Sequence, residues 1–159
     1  MIPRLIFFEL TKRCNLGCIH CRASAIKEPL PVEMTTEAVF SFIDDVASFA
    51  KPIMVLTGGE PLYRPDIFEI IEHTIAKGLK VALATNGTLI TPEIAKKIKD
   101  SGVTRVAVSL DGANAKTHDS FRMHEGAFEQ ALRGIKYLRD NGVGVQINTT
   151  VSRHNLTEI

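Results

Sequence analysis

Three cysteines fall within eight residues, in the run Cys14-Asn15-Leu16-Gly17-Cys18-Ile19-His20-Cys21, and the chain has no others. An odd number so tightly grouped cannot build a disulfide framework and suits a metal site in a reducing compartment. The spacing C-x3-C-x2-C lets three thiolates wrap one inorganic cluster. Iron–sulfur clusters are usually held by four cysteines, so a three-cysteine site leaves one iron for another molecule to complete. Zinc competes for the same residues, since Cys18-x2-Cys21 is a zinc half-site and His20 or Cys14 can add ligands. Structural zinc sites generally draw their second ligand pair from a distant hairpin, and no second cysteine pair exists here. Gly17 and the lack of periodicity allow the loop to bend around a cluster, and Lys12 and Arg13 stand where they can offset its negative charge.

The elements that must position this loop follow one grammar. A first strand, Leu5 to Leu10, leads into the cysteines and a proline-bounded stretch, EPLPVEM. Thr35 and Thr36 offer a cap for a helix whose core stripe is Val39, Phe42, Ile43, Val46 and Phe49. Ile53 to Leu56 has no alternation, the pattern of a strand covered on both faces. Ile67, Ile70, Ile71 and Ile75 stripe a second helix, Gly78 ends it in left-handed conformation, and Val81 to Ala84 follow as a strand. Thr91-Pro92 starts a third helix that ends at Gly102, before strand Val106 to Leu110. Phe128, Ala131, Leu132, Ile135 and Leu138 stripe another helix before Gly142 and strand Val145 to Thr149. Asn155, with Glu158 three positions on, reads as the start of one more helix, so the sequence is expected to stop short of a complete fold.

Strict alternation of strand and helix predicts an α/β fold with a parallel sheet, doubly wound or part of a barrel. TGGEP, ATNG, SLDG and NTTV all follow strands directly, as the cysteine loop does. Ligands of parallel α/β folds bind at the carboxyl ends of strands, so five loops are expected to converge on one pocket. The 159 residues suit one domain, and 19 Lys and Arg against 18 Asp and Glu leave no field that argues for nucleic acid or an anionic membrane. No stretch approaches the roughly 20 apolar residues of a membrane span, and no cleavage site follows the apolar N-terminal run, so the reading is cytoplasmic.

In order, Cys14-x3-Cys18-x2-Cys21, Thr57-Gly58-Gly59-Glu60-Pro61, ATNG, SLDG and THDSFR make the chain similar to the radical S-adenosylmethionine superfamily over essentially its whole length. That resemblance implies a partial (β/α)6 barrel, truncated here after about five βα units, with residues 1–159 as an incomplete core domain. It implies a [4Fe-4S] cluster on Cys14, Cys18 and Cys21, with S-adenosylmethionine (S-adenosyl-L-methionine) chelating the open iron and cleaved by an electron to a 5′-deoxyadenosyl radical. Gly58 and Gly59 permit close backbone approach and unusual dihedrals, and by resemblance Glu60 accepts from the ammonium group of the methionine moiety. Ser109 matches a serine that contacts ribose or methionine, and Arg122 an arginine that pairs with the methionine carboxylate. His20 takes a position where the family commonly has an aromatic residue beside adenine. Asn148 is expected to face the same pocket from strand five, together with Thr149. Thr85 and Asn86 are candidates to face a substrate, T-N-G being equally a turn sequence, and Asp111 to order the site.

CNLGCIHCRASA, NGTLITPE, HEGAFEQALRGIKYLRDNGV and QINTTVSRHN most resemble the heme-synthase branch. That implies a radical oxidoreductase decarboxylating tetrapyrrole propionates oxidatively in heme biosynthesis. Relatives acting in heme d1 biosynthesis or maturing peptides imply a small-molecule or peptide substrate. An electron donor such as flavodoxin or ferredoxin is implied as well. A non-catalytic, cluster-binding fragment and a zinc-stabilised domain are the competing readings.

Overall fold

In a computed structural model of the chain, residues 2–28, 30 and 32–158 are described. Five parallel strands, β1 (Leu5–Glu9), β2 (Ile53–Thr57), β3 (Lys80–Thr85), β4 (Arg105–Ser109) and β5 (Gly144–Asn148), form one sheet in the order β1-β2-β3-β4-β5. Sequential order with every neighbour parallel means that the winding never reverses. A doubly wound sheet requires such a reversal. The chain is therefore the singly wound, barrel-type alternative, with helices on one face.

Register makes that face explicit. Ile6, Met54 and Val81 align across three strands, as do Phe8, Leu56 and Leu83. These residues pack against the helices in one hydrophobic core with Val106 and Val108. Side chains alternate along a strand, so the intervening residues point the other way. Leu5, Phe7 and Ile53 there are 47%, 64% and 41% exposed. The expectation that β2 is covered on both faces is thus corrected: its neighbours bury Val55, but among the described residues no helix covers that side.

Four helices cover the core face, α1 (Thr36–Phe49), α2 (Ile67–Ala76), α3 (Pro92–Asp100) and α5 (Ala127–Asp140), and α4 (Ala115–Arg122) packs against α5. Their starts are dictated locally. The hydroxyls of Thr35 and Thr91 accept from Ala38 N–H and Ile94 N–H, each satisfying a donor that a helix terminus leaves free. Gly78 and Gly102 end α2 and α3 at φ +75° and +82°, where a Cβ would be strained. Ile43, Ile70, Ile71 and Ile98 are wholly buried. Truncating any one to alanine would cost about 2–5 kcal/mol. Phe49 does not join the core, at 62% exposed, and Leu132 is partly exposed at 38%.

Two features depart from the sequence pattern. Helix α4 lies in a segment read only as a polar motif; Asn114 caps it, accepting from Thr117 N–H, and it buries His118, Phe121 and Arg122. Residues 153–157 form turns where Asn155 and Glu158 suggest a helix start. Asn155 is instead fully buried, donating to the carbonyls of Asp111 and Thr150. Glu158 accepts from Thr117 Oγ1 at 2.5 Å and from Asn114 Nδ2, so Glu158 ties the tail to α4 and Asn155 ties it to the loop after β4.

Candidate metal centre

A cavity of about 440 Å3 opens at the carboxyl ends of the strands. It is lined by Cys14, Cys18 and Cys21, by His20, by Thr57-Gly58-Gly59, by Ala84-Thr85-Asn86, and by Ser109, Arg122 and Thr150. All five strand-end loops therefore reach it, as the order of elements requires.

The cysteine loop is clamped from beneath. Gly59 N–H donates to Thr11 O at 2.7 Å and Glu60 N–H to Arg13 O at 2.8 Å. A Cβ on Gly58 would stand 2.4 Å from Thr11 O, and one on Gly59 2.4 Å from Arg13 O. The double glycine is therefore needed for backbone to lie on backbone. Gly17 meets no such limit, since its Cβ would find only Met123 Cβ at 3.7 Å. Arg64 completes the clamp. It holds Asp66 through Nε–Oδ1 at 2.8 Å and Nη2–Oδ2 at 2.6 Å, and it donates to Leu10 O and Met34 O. That bidentate fit needs a guanidinium.

Glu60 sits under the floor of the cavity and is not one of its lining residues. Its Oε1 accepts from Thr85 Oγ1 at 2.8 Å and Leu62 N–H at 3.2 Å, and its Oε2 from Asn86 N–H at 2.8 Å. Burial pushes the carboxyl up to about 7, against the pull of those donors. Glu60 thereby joins β2 to the end of β3.

Each cysteine sulfur meets an N–H. Leu16 N–H at 3.4 Å and Asn86 Nδ2 at 3.8 Å face Cys14 Sγ; Arg122 Nη1 at 3.6 Å faces Cys18 Sγ; Ala25 N–H at 3.3 Å faces Cys21 Sγ. Among the described residues no three His, Cys, Asp or Glu side chains close on a single metal ion. Three thiols around a cavity, each with a donor directed at sulfur, fit a larger anionic group such as a [4Fe-4S] cluster. Burial pushes the Cys14 and Cys18 thiols up, with Arg122 partly opposing this at Cys18. Lys12 is exposed, and Arg13 lies over the Tyr63 ring at 4.5 Å beside a second cavity, so Arg13 does not line the cysteine cavity.

Arg122 is 7% exposed, and its Nη2 lies 2.6 Å from Oδ2 of the fully buried Asp111. Asp111 Oδ1 accepts from Thr150 N–H, and Asp111 N–H donates to Nδ1 of buried His118. His20 stacks on Phe121 with ring centroids 4.3 Å apart, and its Nε2 is 3.6 Å from Asp111 Oδ2. Burial and then Arg122 hold both histidines below their ordinary value. His20 Nδ1 and Arg122 Nε are buried without hydrogen-bond partners among the described residues, beside a cavity that both side chains line. Buried polar atoms are ordinarily satisfied, so these two fit a polar ligand in the cavity.

Among the residues singled out in the sequence, the cysteines, His20, Gly58, Gly59, Ser109 and Arg122 line this cavity, and Glu60 braces it. Asn148 does not. It is exposed, accepts from Gln146 Nε2 at 2.8 Å, and lines a separate cavity on the open face of the sheet. Thr149 turns its hydroxyl to Leu110 O, and Thr150, one residue on, is the one that reaches the cysteines' cavity. His118 and Asn155 brace Asp111 unannounced by the sequence, because their burial depends on α4 and the tail folding as they do.

A family profile described as the Radical SAM superfamily matches residues 8–158. The AdoMet-dependent heme synthase of Methanosarcina barkeri is 56% identical over 157 residues, 99% of this chain and 45% of that protein. The mycofactocin maturase MftC of Mycobacterium tuberculosis is 35% identical over 99% of this chain and 40% of its own length. The crystal structure of Streptococcus suis SuiB bound to S-adenosylmethionine superposes with a TM-score of 0.82 at 18% identity, covering 98% of this chain and 36% of that one. The chain thus spans less than half the length of the curated relatives it matches. Among the described residues no helix is long and apolar enough to cross a membrane.

Proposed function

The chain belongs to the radical S-adenosylmethionine superfamily, and from that premise we propose that it serves in the oxidative decarboxylation of tetrapyrrole propionates to vinyl groups, a step of heme biosynthesis. Each conversion removes one hydrogen atom from a propionate, taken up by the deoxyadenosyl group, releases one carbon dioxide, and passes one electron to a one-electron acceptor. Cys14, Cys18 and Cys21 hold the [4Fe-4S] cluster in this reading, and S-adenosylmethionine occupies the adjoining cavity. When bound, the cluster supplies the electron that cleaves S-adenosylmethionine to a 5′-deoxyadenosyl radical.

The protein's own contribution is position and charge. Arg122, braced by Asp111, offers its free Nε to the methionine carboxylate. His20, flattened on Phe121, presents its ring beside the adenine. Ser109 offers a hydroxyl from the end of β4. Glu60 acts at one remove, by fixing Thr85 and Asn86. The open face of the sheet supplies apolar walls through Leu5, Phe7 and Val55, and room through the small Ala82, Ala84 and Ala107. Ala84 lines both cavities, so a flat apolar substrate on that face would adjoin the cofactor.

The observation that carries the substrate reading is the 56% identity to a heme synthase across nearly the whole chain, against 35% to a peptide maturase. A radical peptide maturase is the second reading, favoured by that maturase. An electron donor such as flavodoxin or ferredoxin and a cytoplasmic location belong to the proposal, supported by three unpaired cysteines that require reducing surroundings.

Anaerobic reconstitution with iron and sulfide, then reduction in the presence of S-adenosylmethionine, tests it. Release of 5′-deoxyadenosine, increased by iron coproporphyrin with vinyl product formed, is expected. Release stimulated only by a peptide would favour the maturase reading. A cluster without 5′-deoxyadenosine would favour a non-catalytic cluster-binding role, and tetrahedral zinc without a cluster would overturn the proposal.

A further inference from the structure

Asn86 directly follows β3, two strands away from β1 and the cysteine loop in the sheet, yet its side chain reaches Cys14. Three side chains form a closed hydrogen-bond ring there. Asn86 Nδ2 donates to Asn15 Oδ1 at 2.9 Å, Asn15 Nδ2 to Thr88 Oγ1 at 2.8 Å, and Thr88 Oγ1 to Asn86 Oδ1 at 2.7 Å. The orientation of the Asn86 amide is fixed by chemistry. Thr88 N–H, which can only donate, lies 2.9 Å from one amide atom, so that atom is the oxygen and the other is nitrogen. With one proton of Nδ2 given to Asn15, the other is free for Cys14 Sγ at 3.8 Å. The backbone is pinned as well, since Asn86 N–H donates to buried Glu60. Asn86 is 7% exposed, so its donors meet little competition from water.

From this geometry we infer that Asn86 is a positioning residue for the metal centre, holding a permanent N–H against the Cys14 sulfur through the ring with Asn15 and Thr88. Hydrogen bonds to cluster sulfurs stabilise the more negative, reduced state and so raise the reduction potential. A ring in which each member donates in the same sense polarises its neighbours and resists rotation of the amide. Of the four N–H groups facing sulfur, those of Leu16 and Ala25 belong to the loop backbone, and Arg122, which faces Cys18 through Nη1, is held by Asp111 through Nη2. At Cys14 the side-chain donor is Asn86, whose second Nδ2 proton has no other described acceptor. The inference rests on the cluster reading above.

The test is the midpoint potential of the cluster in reconstituted protein, followed by electron paramagnetic resonance during an anaerobic titration, beside the rate of cluster loss to a chelator. Asn86→Leu keeps the size and removes the donor; it is expected to lower the equilibrium constant for reduction about tenfold, about 59 mV more negative for one electron, and to speed cluster loss about tenfold. Thr88→Val opens the ring without touching Cys14, while its backbone N–H still holds the Asn86 oxygen, and is expected to shift the potential in the same direction by less. Asn86→Asp sets a carboxylate beside the sulfur and is expected to shift it further than leucine. Potentials of N86L and T88V equal to that of the unsubstituted protein would overturn the inference, as would a shift confined to N86D. A wild-type chain that holds no cluster would overturn the underlying reading with it.

Discussion

Glu60→Gln separates the charge of the buried carboxyl from its hydrogen bonds. In the folded protein this group rises from its ordinary 4.5 to about 7 because it is wholly buried. A carboxyl with a raised folded value keeps its proton where the unfolded chain has released it, so stability is lost as pH rises from about 4.5 to about 7. At about 1.36 kcal/mol per pH unit the whole loss is roughly 3 kcal/mol, most of it between pH 5 and pH 8. Glutamine has no such titration. It does surrender one acceptor, leaving Asn86 N–H or Leu62 N–H unpaired, for about 1–3 kcal/mol at all pH values. His20 and His118, held below their ordinary values, oppose the trend below about pH 6.5 but do so in both proteins. Urea unfolding of reduced, metal-free protein at pH 5 and pH 8 measures the difference. E60Q is expected to be the less stable at pH 5 and to lose about 2–3 kcal/mol less than wild type on going to pH 8. Parallel curves would refute the assignment of a proton to this carboxyl.

The clamp under the cysteine loop predicts opposite outcomes for two glycines. Gly59→Ala drives a Cβ against Arg13 O and is expected to cost about 1–3 kcal/mol and reduce cluster yield, whereas Gly17→Ala stays within about 0.5 kcal/mol, both read by thermal melting and iron content. Asp111→Asn leaves Arg122 without its buried counter-ion and is expected to destabilise the fold by about 3–5 kcal/mol; chemical unfolding measures it, and a loss under 1 kcal/mol would contradict the pairing. Because burial holds the Cys14 and Cys18 thiols protonated, metal loading releases protons. Iron uptake should therefore weaken as pH falls from 8 to 6, measured by absorbance in a series of anaerobic titrations, and a flat profile would contradict it.

The strands and the larger helices were legible because their signals are local and strong. Ile67, Ile70 and Ile71 stripe α2, and proline or glycine stands at the ends of α2 and α3. Which face of the sheet the helices cover was not legible, since IMVLT reads the same in a doubly wound sheet and a barrel; strand order decides it. Helix α4 escaped notice because AKTHDSFR is polar and is held by what it buries, a tertiary effect that outweighs sequence pattern. That the three cysteines gather at one cavity was legible from their spacing. Glu60 and Asn86 were not fully so: the same residues in the same turns can face a ligand or brace those that do, and only the hydrogen bonds to Thr85, Asn15 and Thr88 distinguish the two. Asn148 shows the limit of reasoning from strand ends, since Thr150, two residues further on, is the one that arrives at the cavity.

The central claim is that Cys14, Cys18 and Cys21 hold a cluster with one iron open to S-adenosylmethionine. Electron paramagnetic resonance of the dithionite-reduced, reconstituted protein, recorded with and without S-adenosylmethionine, addresses it most directly. A [4Fe-4S] signal whose g-values change on addition, and which is lost when any one of the three cysteines is replaced by alanine, is the predicted result. A signal indifferent to S-adenosylmethionine, or one that survives removal of a cysteine, would contradict it.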